Sequence, residues 1–392
     1  MTASGDRPTI LSVSNFYDTH GGGLERVASH LNRQFSAAGY LAEWAACDAD
    51  DTPDTPANLV PLRCANPIEK LTGLPMPIPG PRSIGRLNSA VARADLVVIH
   101  DALYFTSLAA MVLAKLHRRP VALVQHIGFI AFASPLLRLL MGVANFLVTR
   151  PMLAAADRLV FISETVRRDL LGSPPRRTSV LAFNGVDLAV FSNSFQSADP
   201  APRARWGLPT DKRVAIFVGR FVEKKGLPVL RHLAETRPDL HFALAGKGPI
   251  DPASWGLPNV QLLGQQPQVA LAELYRVSDF LILPSVGEGY PLVVQEAMAS
   301  GLPVVCGRAS AEADPQAAQW LQGVDIDLAQ PELSAAACAL AIDKLAAKGV
   351  DRDAMAEYCA EAYSWKKLAE TVVGSAERRR LGVRPSKVEL AA

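Results

Sequence analysis

Short, nearly continuous apolar runs alternate with stretches of helical spacing along almost the whole chain, and this alternation limits the fold more than any other feature of the sequence. The runs ILSVS (Ile10 to Ser14), LVVIH (Leu96 to His100), VALVQ (Val121 to Gln125) and RLVFIS (Arg158 to Ser163) come first. Strands of this kind are buried on both faces, the environment of a parallel sheet between crossover helices. The pattern lapses from Phe191 to Arg213, a segment of Ser, Pro, Asp and Ala with no period. It then restarts with VAIFVG (Val214 to Gly219), HFALAG (His241 to Gly246), FLILPS (Phe280 to Ser285) and PVVC (Pro303 to Cys306). The expectation is an α/β chain with two Rossmann-like sheets joined by a connector.

The length of 392 residues agrees, since one core stops growing at about 250–300 residues. The predicted division is 1–195 for the first Rossmann-like domain, 196–365 for the second, and 366–392 for a helix and a polar tail. That last piece, beginning in WKKLAETVVGSAERRR (Trp365 to Arg380), either packs back on the first domain or hangs free. No repeat of solenoid length is present.

Composition removes several classes of function. A formal charge of +2, with no basic stripe carrying interleaved aromatics, gives a nucleic-acid partner no electrostatic footing. The cysteines Cys47, Cys64, Cys306, Cys338 and Cys359 are odd in number and form no C-x-x-C pair, which argues against a disulfide framework and against a zinc site. The first residues, MTASGDRPTILSVSNF, lack the charged start and apolar stretch of a signal peptide. A cytoplasmic protein is expected. Ile127 to Thr149 comes nearest to a membrane span, but Pro135 and Arg138 interrupt it, and a central Arg costs about 2.5–3.5 kcal/mol on insertion.

The stretch SVGEGYPLVVQEAMASGLPVV, Ser285 to Val305, carries the clearest chemistry. A strand ends at Ser285, Gly287 and Gly289 supply a tight turn, and Pro291 suits the start of a helix. Free N–H groups near Gly289, Leu292 and Val293, reinforced by the helix dipole, make a site for a diphosphate. Glu288 precedes that helix and Glu296 follows two turns later. A carboxylate only accepts hydrogen bonds, so the pair suits a hydroxyl-rich ligand such as a ribose or a hexose. The plain alternative is a helix cap and a solvated acid.

In FVGRFVEKKG, Phe217 to Gly226, the strand ends at Gly219 and the loop offers Arg220, Lys224 and Lys225. Cations at the C-terminal end of a strand stand where α/β folds bind ligands, and Arg220 and Lys225 can neutralise a leaving diphosphate as a metal would. Lys224 is expected to stand aside. In the first half, HGGGLERVASHL, His20 to Leu31, is a Gly-rich turn entering a helix. It lacks the full G-x-G-x-x-G fingerprint, which disfavours a nicotinamide cofactor. His126 ends one strand, and His100 with Asp101 ends another, so both histidines stand at the ligand edge of the first sheet. Asp48-x-Asp50 and Asp325-x-Asp327 imitate a metal motif but follow no convincing strand, so no metal is expected.

Taken in order, GGGLERVA, ISE at Ile162 to Glu164, FNGVD at Phe183 to Asp187, VGRFVEKKG, LAGKGP at Leu244 to Pro249 and EGYPLVVQEAMASGLPVV resemble retaining glycosyltransferases of the GT-B fold, the group-1, family-4-like kind. The likeness covers most of the chain, and the E-x7-E element is its most specific part. It implies two Rossmann-like domains facing across a deep cleft, the first holding the acceptor and the second the donor. By resemblance Glu296 holds the donor ribose, Glu288 the transferred sugar, Arg220 and Lys225 the diphosphate, and Gly22 and Gly23 its far side. His126 matches the cleft histidine near the donor sugar, and Asn184 to Asp187 reads as a structural turn.

The resemblance further implies metal-independent transfer with retention, without a cofactor, from a nucleoside-diphosphate sugar to a saccharide or polyprenyl-linked saccharide, as in cell-surface polysaccharide or glycolipid assembly. The donor sugar stays open, with a lean to mannose or glucose. Members often carry Gly-Gly and a glutamate after the Pro303 to Val305 strand, where this chain has CGRASAEADPQAAQW, which unsettles the choice of sugar. A nucleotide-sugar epimerase, a non-catalytic nucleotide-sugar sensor and a dehydrogenase are the rival readings. The apolar stretch Phe129 to Leu147 and the basic groups Arg118-Arg119 and Arg378 to Arg380 suggest contact with the inner face of a membrane; an internal helix pair with solvated charges is the alternative.

Overall fold

The computed structural model describes residues 7–67, 76–128, 135–193, 201–375, 377 and 381. Seven strands form the first sheet in the order β3-β2-β1-β6-β7-β8-β9: β1 (Thr9–Phe16), β2 (Leu41–Cys47), β3 (Asn58–Leu62), β6 (Leu96–His100), β7 (Val121–Gln125), β8 (Arg158–Phe161) and β9 (Val180–Leu181). Six strands form the second in the order β12-β11-β10-β13-β14-β15: β10 (Arg213–Val218), β11 (Leu240–Ala245), β12 (Val260–Gly264), β13 (Phe280–Leu283), β14 (Val304–Gly307) and β15 (Leu321–Val324). Each pairing within these sheets is parallel, and the only antiparallel ladder among the described residues is the short β4 (Cys64–Ala65) with β5 (Ile78–Pro79).

Every apolar run singled out in the sequence is a strand. The central ones, β1, β6, β7 and β13, are buried along their whole length, which is why their sequences read as unbroken apolar runs. The strands that escaped notice are of other kinds. β2 is Ala-rich, β3 contains Pro61 at a sheet edge, β12 is only half-buried, and β9 and β15 are short. Pro and partial exposure are what an edge position tolerates, and they erase the apolar signal.

Both sheets reverse direction beside their first strand, between β1 and β6 and between β10 and β13. A doubly wound sheet opens a crevice at such a switch point, beyond the C-terminal ends of the strands. This places His20 to Gly23, His100, Asp101 and His126 on one lip, and Arg220 to Lys225 with Glu288 on the other.

The two domains touch directly. Glu164 N–H donates to the Ala313 carbonyl at 2.7 Å, and Thr165 Oγ1 to the Ala309 carbonyl at 3.0 Å. The helix Trp365–Val373, capped by the Ser364 side chain, returns to the first domain and buries Leu368, Ala369, Val372 and Val373 in the cluster that includes Val27, Leu31 and Val98. Trp365 stacks on His30 with ring centroids 4.2 Å apart. The Asn184 to Asp187 turn is wedged against this return. Val186 N–H donates to the Tyr363 carbonyl, Gln295 Nε2 donates to the Asn184 carbonyl, and a side chain at Gly185 would strike Trp365. Arg378 to Arg380 and Phe129 to Ala133 lie outside the described residues.

Candidate active site

The second domain contributes the acids and cations. After β10 the loop turns at Gly226, whose φ of +78° and contact with the Pro284 carbonyl admit no side chain. The loop is thereby pinned to the end of β13, and Val286 N–H bonds the Lys224 carbonyl. This sets Lys225 Nζ 3.0 Å from Glu288 Oε2 and Lys224 Nζ 3.8 Å from Glu288 Oε1. Burial pushes the Glu288 carboxyl up, but Lys225 and then Lys224 outweigh it and hold it below the usual carboxylate range. Lys224, expected to stand aside, flanks the acid together with Lys225. Arg220 is exposed at the mouth of the crevice, and its charge is felt by Glu25 of the first domain.

Gly287 makes the turn before Glu288 with φ of +67°. Gly289 serves a different purpose, since a side chain there would collide with the His126 carbonyl oxygen. The helix that follows is Leu292–Ala299, with Pro291 as its N-cap, one position earlier than expected, and no side-chain cap. Its first N–H groups, Leu292 and Val293 among them, stand at the crevice, while the Leu292 side chain joins the core of the first domain. Glu296 lies one turn further along that helix and is buried.

The first domain contributes a buried polar cluster. His126 Nε2 is 3.2 Å from His100 Nδ1. Burial lowers His100 to about 3, and burial with the neighbouring His100 pushes His126 well down, so both rings are neutral at pH 7. Asp101 adopts a left-handed backbone, φ +69°, and accepts from Ile127 N–H and Gln125 Nε2, both at 2.9 Å. This ties the end of β6 to the loop that carries His126. Burial raises Asp101 to about 6, although these bonds resist it. Tyr104 is pushed up by burial, with Asp101 and Glu25 adding to the effect.

The helix Gly23–Ala37 begins at Gly22 without a side-chain cap. Glu25 folds back over Gly22, where a side chain would overlap its carboxylate. Burial raises the Glu25 carboxyl, opposed by its own backbone N–H, His20, Arg220 and Lys224. The anion site expected at Gly22 and Gly23 is thus faced by a carboxylate of the protein itself. Its neighbour Arg26 crosses to the second domain, where Nη2 donates to Glu296 Oε1 at 2.8 Å.

Glu25, Arg26 and Tyr104 went unnoticed in the sequence, and Asp101 was read only as the end of a strand. Glu25 and Arg26 stand in the first turn after the Gly-rich loop, a placement that could have flagged them; the backbone of Asp101 leaves no such mark. Among the described residues no cluster of three or more His, Cys, Asp or Glu is placed to hold a metal. Asp325 is instead paired with Arg308, and Asp50 with His20. The loop after β14 packs between the domains, with Asp314 buried and accepting from Tyr358 and Tyr363.

Two facing doubly wound domains, with a carboxylate-bearing loop and helix on one lip and a Gly-rich loop on the other, define a GT-B fold. Models of two families match in sequence order: Glycosyltransferase Family 4 over residues 21–190, and Glycosyl transferases group 1 over residues 199–362. Both are glycosyltransferase families, and the two models together span most of the chain. The sulfoquinovosyl transferase SQD2 of Arabidopsis thaliana is 33% identical over 161 residues, 40% of this chain and 31% of that protein. The D-inositol 3-phosphate glycosyltransferase of Mycolicibacterium smegmatis is 32% identical over 193 residues, 44% of this chain and 43% of that protein. The alignments thus span less than half of these curated relatives. Among solved structures, a sucrose-phosphate synthase from Thermosynechococcus elongatus superposes with a TM-score of 0.70 at 19% identity, covering 96% of this chain and 100% of that one. HepE of Anabaena, solved with UDP-glucose, gives 0.66 at 14% identity, covering 93% and 98%. At these identities the likeness speaks for the fold.

Proposed function

We propose that the chain transfers a hexose from a nucleoside-diphosphate sugar to a saccharide or polyprenyl-linked saccharide acceptor, with retention at the anomeric carbon and without a metal. The observation that carries this is the placement of Glu288, held by Lys225, opposite His126 and beside a helix start free of side-chain caps. Glu296 grips the ribose, Glu288 orients the transferred sugar, and Lys225, Arg220 and the first N–H groups of the Leu292–Ala299 helix stabilise charge on the departing diphosphate. Gly22 and Gly23 close over the diphosphate once Glu25 moves aside. The neutral His126 ring lies on the sugar side.

The UDP-glucose in HepE makes a UDP-hexose the first donor to try, with GDP-mannose next. The domain assignments 1–195, 196–365 and 366–392 stand as part of this reading, the first domain holding the acceptor.

Contact with the inner face of a membrane belongs to the same proposal. Leu139, Leu140, Val143, Phe146 and Leu147 are exposed, and Arg150 lies over the Phe146 ring. No helix among the described residues is long and apolar enough to cross a membrane.

The test is product analysis by NMR after incubation with UDP-glucose, UDP-galactose or GDP-mannose in EDTA, with and without saccharide acceptors. Acceptor-dependent release of nucleoside diphosphate with retained configuration supports the proposal. Inversion would refute retention, and donor isomerised in water without acceptor would identify an epimerase.

A further inference from the structure

Arg26 has no part in the donor site as assigned above, yet its side chain donates to the carboxylate of the ribose-binding acid. The Arg26 guanidinium leaves the Gly23–Ala37 helix of the first domain and donates from Nη2 to Glu296 Oε1 at 2.8 Å. Glu296 has only 4% of its side chain exposed, against 29% for Arg26. The other oxygen, Oε2, is buried and accepts from no group among the described residues. Tyr275 lies beside the carboxylate, and burial, the Glu296 charge and a side-chain interaction with Glu296 push its phenol up. A buried carboxylate oxygen without a donor is a place for a ligand hydroxyl.

We propose that Arg26 is a positioning residue for the donor: it fixes the Glu296 carboxylate through Oε1 and leaves Oε2 turned to a ribose hydroxyl. This rests on the donor-site reading. Because the guanidinium and the carboxylate belong to different domains, the ribose grip is complete only when the two lips are together. Donor binding and closure therefore favour each other. The ion pair is more than surface decoration, since loss of Arg26 leaves a carboxylate buried without its counter-charge.

The test is calorimetric titration of the full chain in EDTA with UDP and GDP and with their 2′-deoxy and 3′-deoxy forms, using the native protein, Arg26→Ala and Arg26→Lys. Arg26→Ala should weaken the better ribonucleotide by about tenfold or more. The penalty should shrink for the deoxy form that lacks the hydroxyl taken by Oε2, because the contact Arg26 supports is already gone. Arg26→Lys should fall between, and its ribo-to-deoxy ratio answers the question should the alanine variant not fold. An equal loss for ribo and deoxy forms, no loss, or tighter binding as expected of a latch that competes with the ribose, would overturn the role of Arg26 alone. Failure of the native protein to bind any of these nucleotides would overturn the donor site and this proposal together.

Discussion

Lys225 and Glu288, from loops that follow the two strands flanking the second switch point, form a half-buried ion pair with Nζ 3.0 Å from Oε2. The acid is thus held ionised next to the cation proposed to face the diphosphate. Lys225→Ala should lower kcat about 100-fold, the scale for losing one preorganised donor to developing charge. In a double-mutant cycle with Glu288→Gln the effects should be non-additive by about 1 kcal/mol or more. Simple additivity would mean that the two residues act apart.

Two buried histidines and the half-buried His30 set a pH dependence. His100, lowered to about 3, His30, lowered to about 4, and His126, pushed well down by burial and by His100, have folded values below the unfolded value of about 6.5. Their stability is fully present above that value and is lost as pH falls toward the folded values. Between pH 7 and pH 5 each fully buried ring should cost about 2 kcal/mol. Asp101, raised to about 6, works against this by about 1 kcal/mol over the same interval. Urea unfolding at the two pH values should show a net loss at pH 5, and His126→Gln should flatten the slope. An unchanged slope would mean that His126 titrates normally.

Gly289 meets the His126 carbonyl too closely for any side chain. Gly289→Ala should therefore hold the lips apart. Sugar transfer should fall about tenfold or more while urea stability shifts by only about 1 kcal/mol, because the new methyl strains an interface and not a core. Equal activity in initial-rate assays would show that the approach of Gly289 to His126 is dispensable.

Asp314 joins the loop after β14 to the C-terminal helices. Its Oδ2 accepts from Tyr358 at 2.6 Å and Tyr363 at 2.9 Å, and its Oδ1 accepts from Gln316 N–H at 3.0 Å. Asp314→Ala leaves these donors without their buried acceptor and should lower the unfolding free energy by about 3 kcal/mol. Denaturant titration reads this directly, and a loss below about 1 kcal/mol would mean that water replaces the carboxylate.

The central strands and the class of fold were legible because buried parallel strands show as apolar runs. Edge strands such as β3, with Pro61, were not, because one-sided exposure and a missing N–H blur that signal. Within the candidate site, Glu288, Glu296, Gly289 and Lys225 stood out because glycine, proline and acid sit at turn and helix-start spacings. Lys224 was undervalued, since nothing in a run of two lysines tells which one faces inward, and here both reach Glu288. The pairing of Arg26 with Glu296 joins residues 270 apart in sequence, and no local pattern records it. The His100 and His126 contact was half visible, as two strand-end histidines whose adjacency depends on the pairing of β6 with β7.

The most direct test of the donor site is the thermal shift of the native chain and of Glu296→Ala in EDTA with UDP, GDP, ADP, dTDP and NAD. A ligand at 100 times its dissociation constant stabilises by about 2.7 kcal/mol. One nucleoside diphosphate should stabilise the native protein, and Glu296→Ala should lose most of that response. Stabilisation by NAD alone, or an equal response in both proteins, would contradict a nucleotide-sugar site built on Glu296.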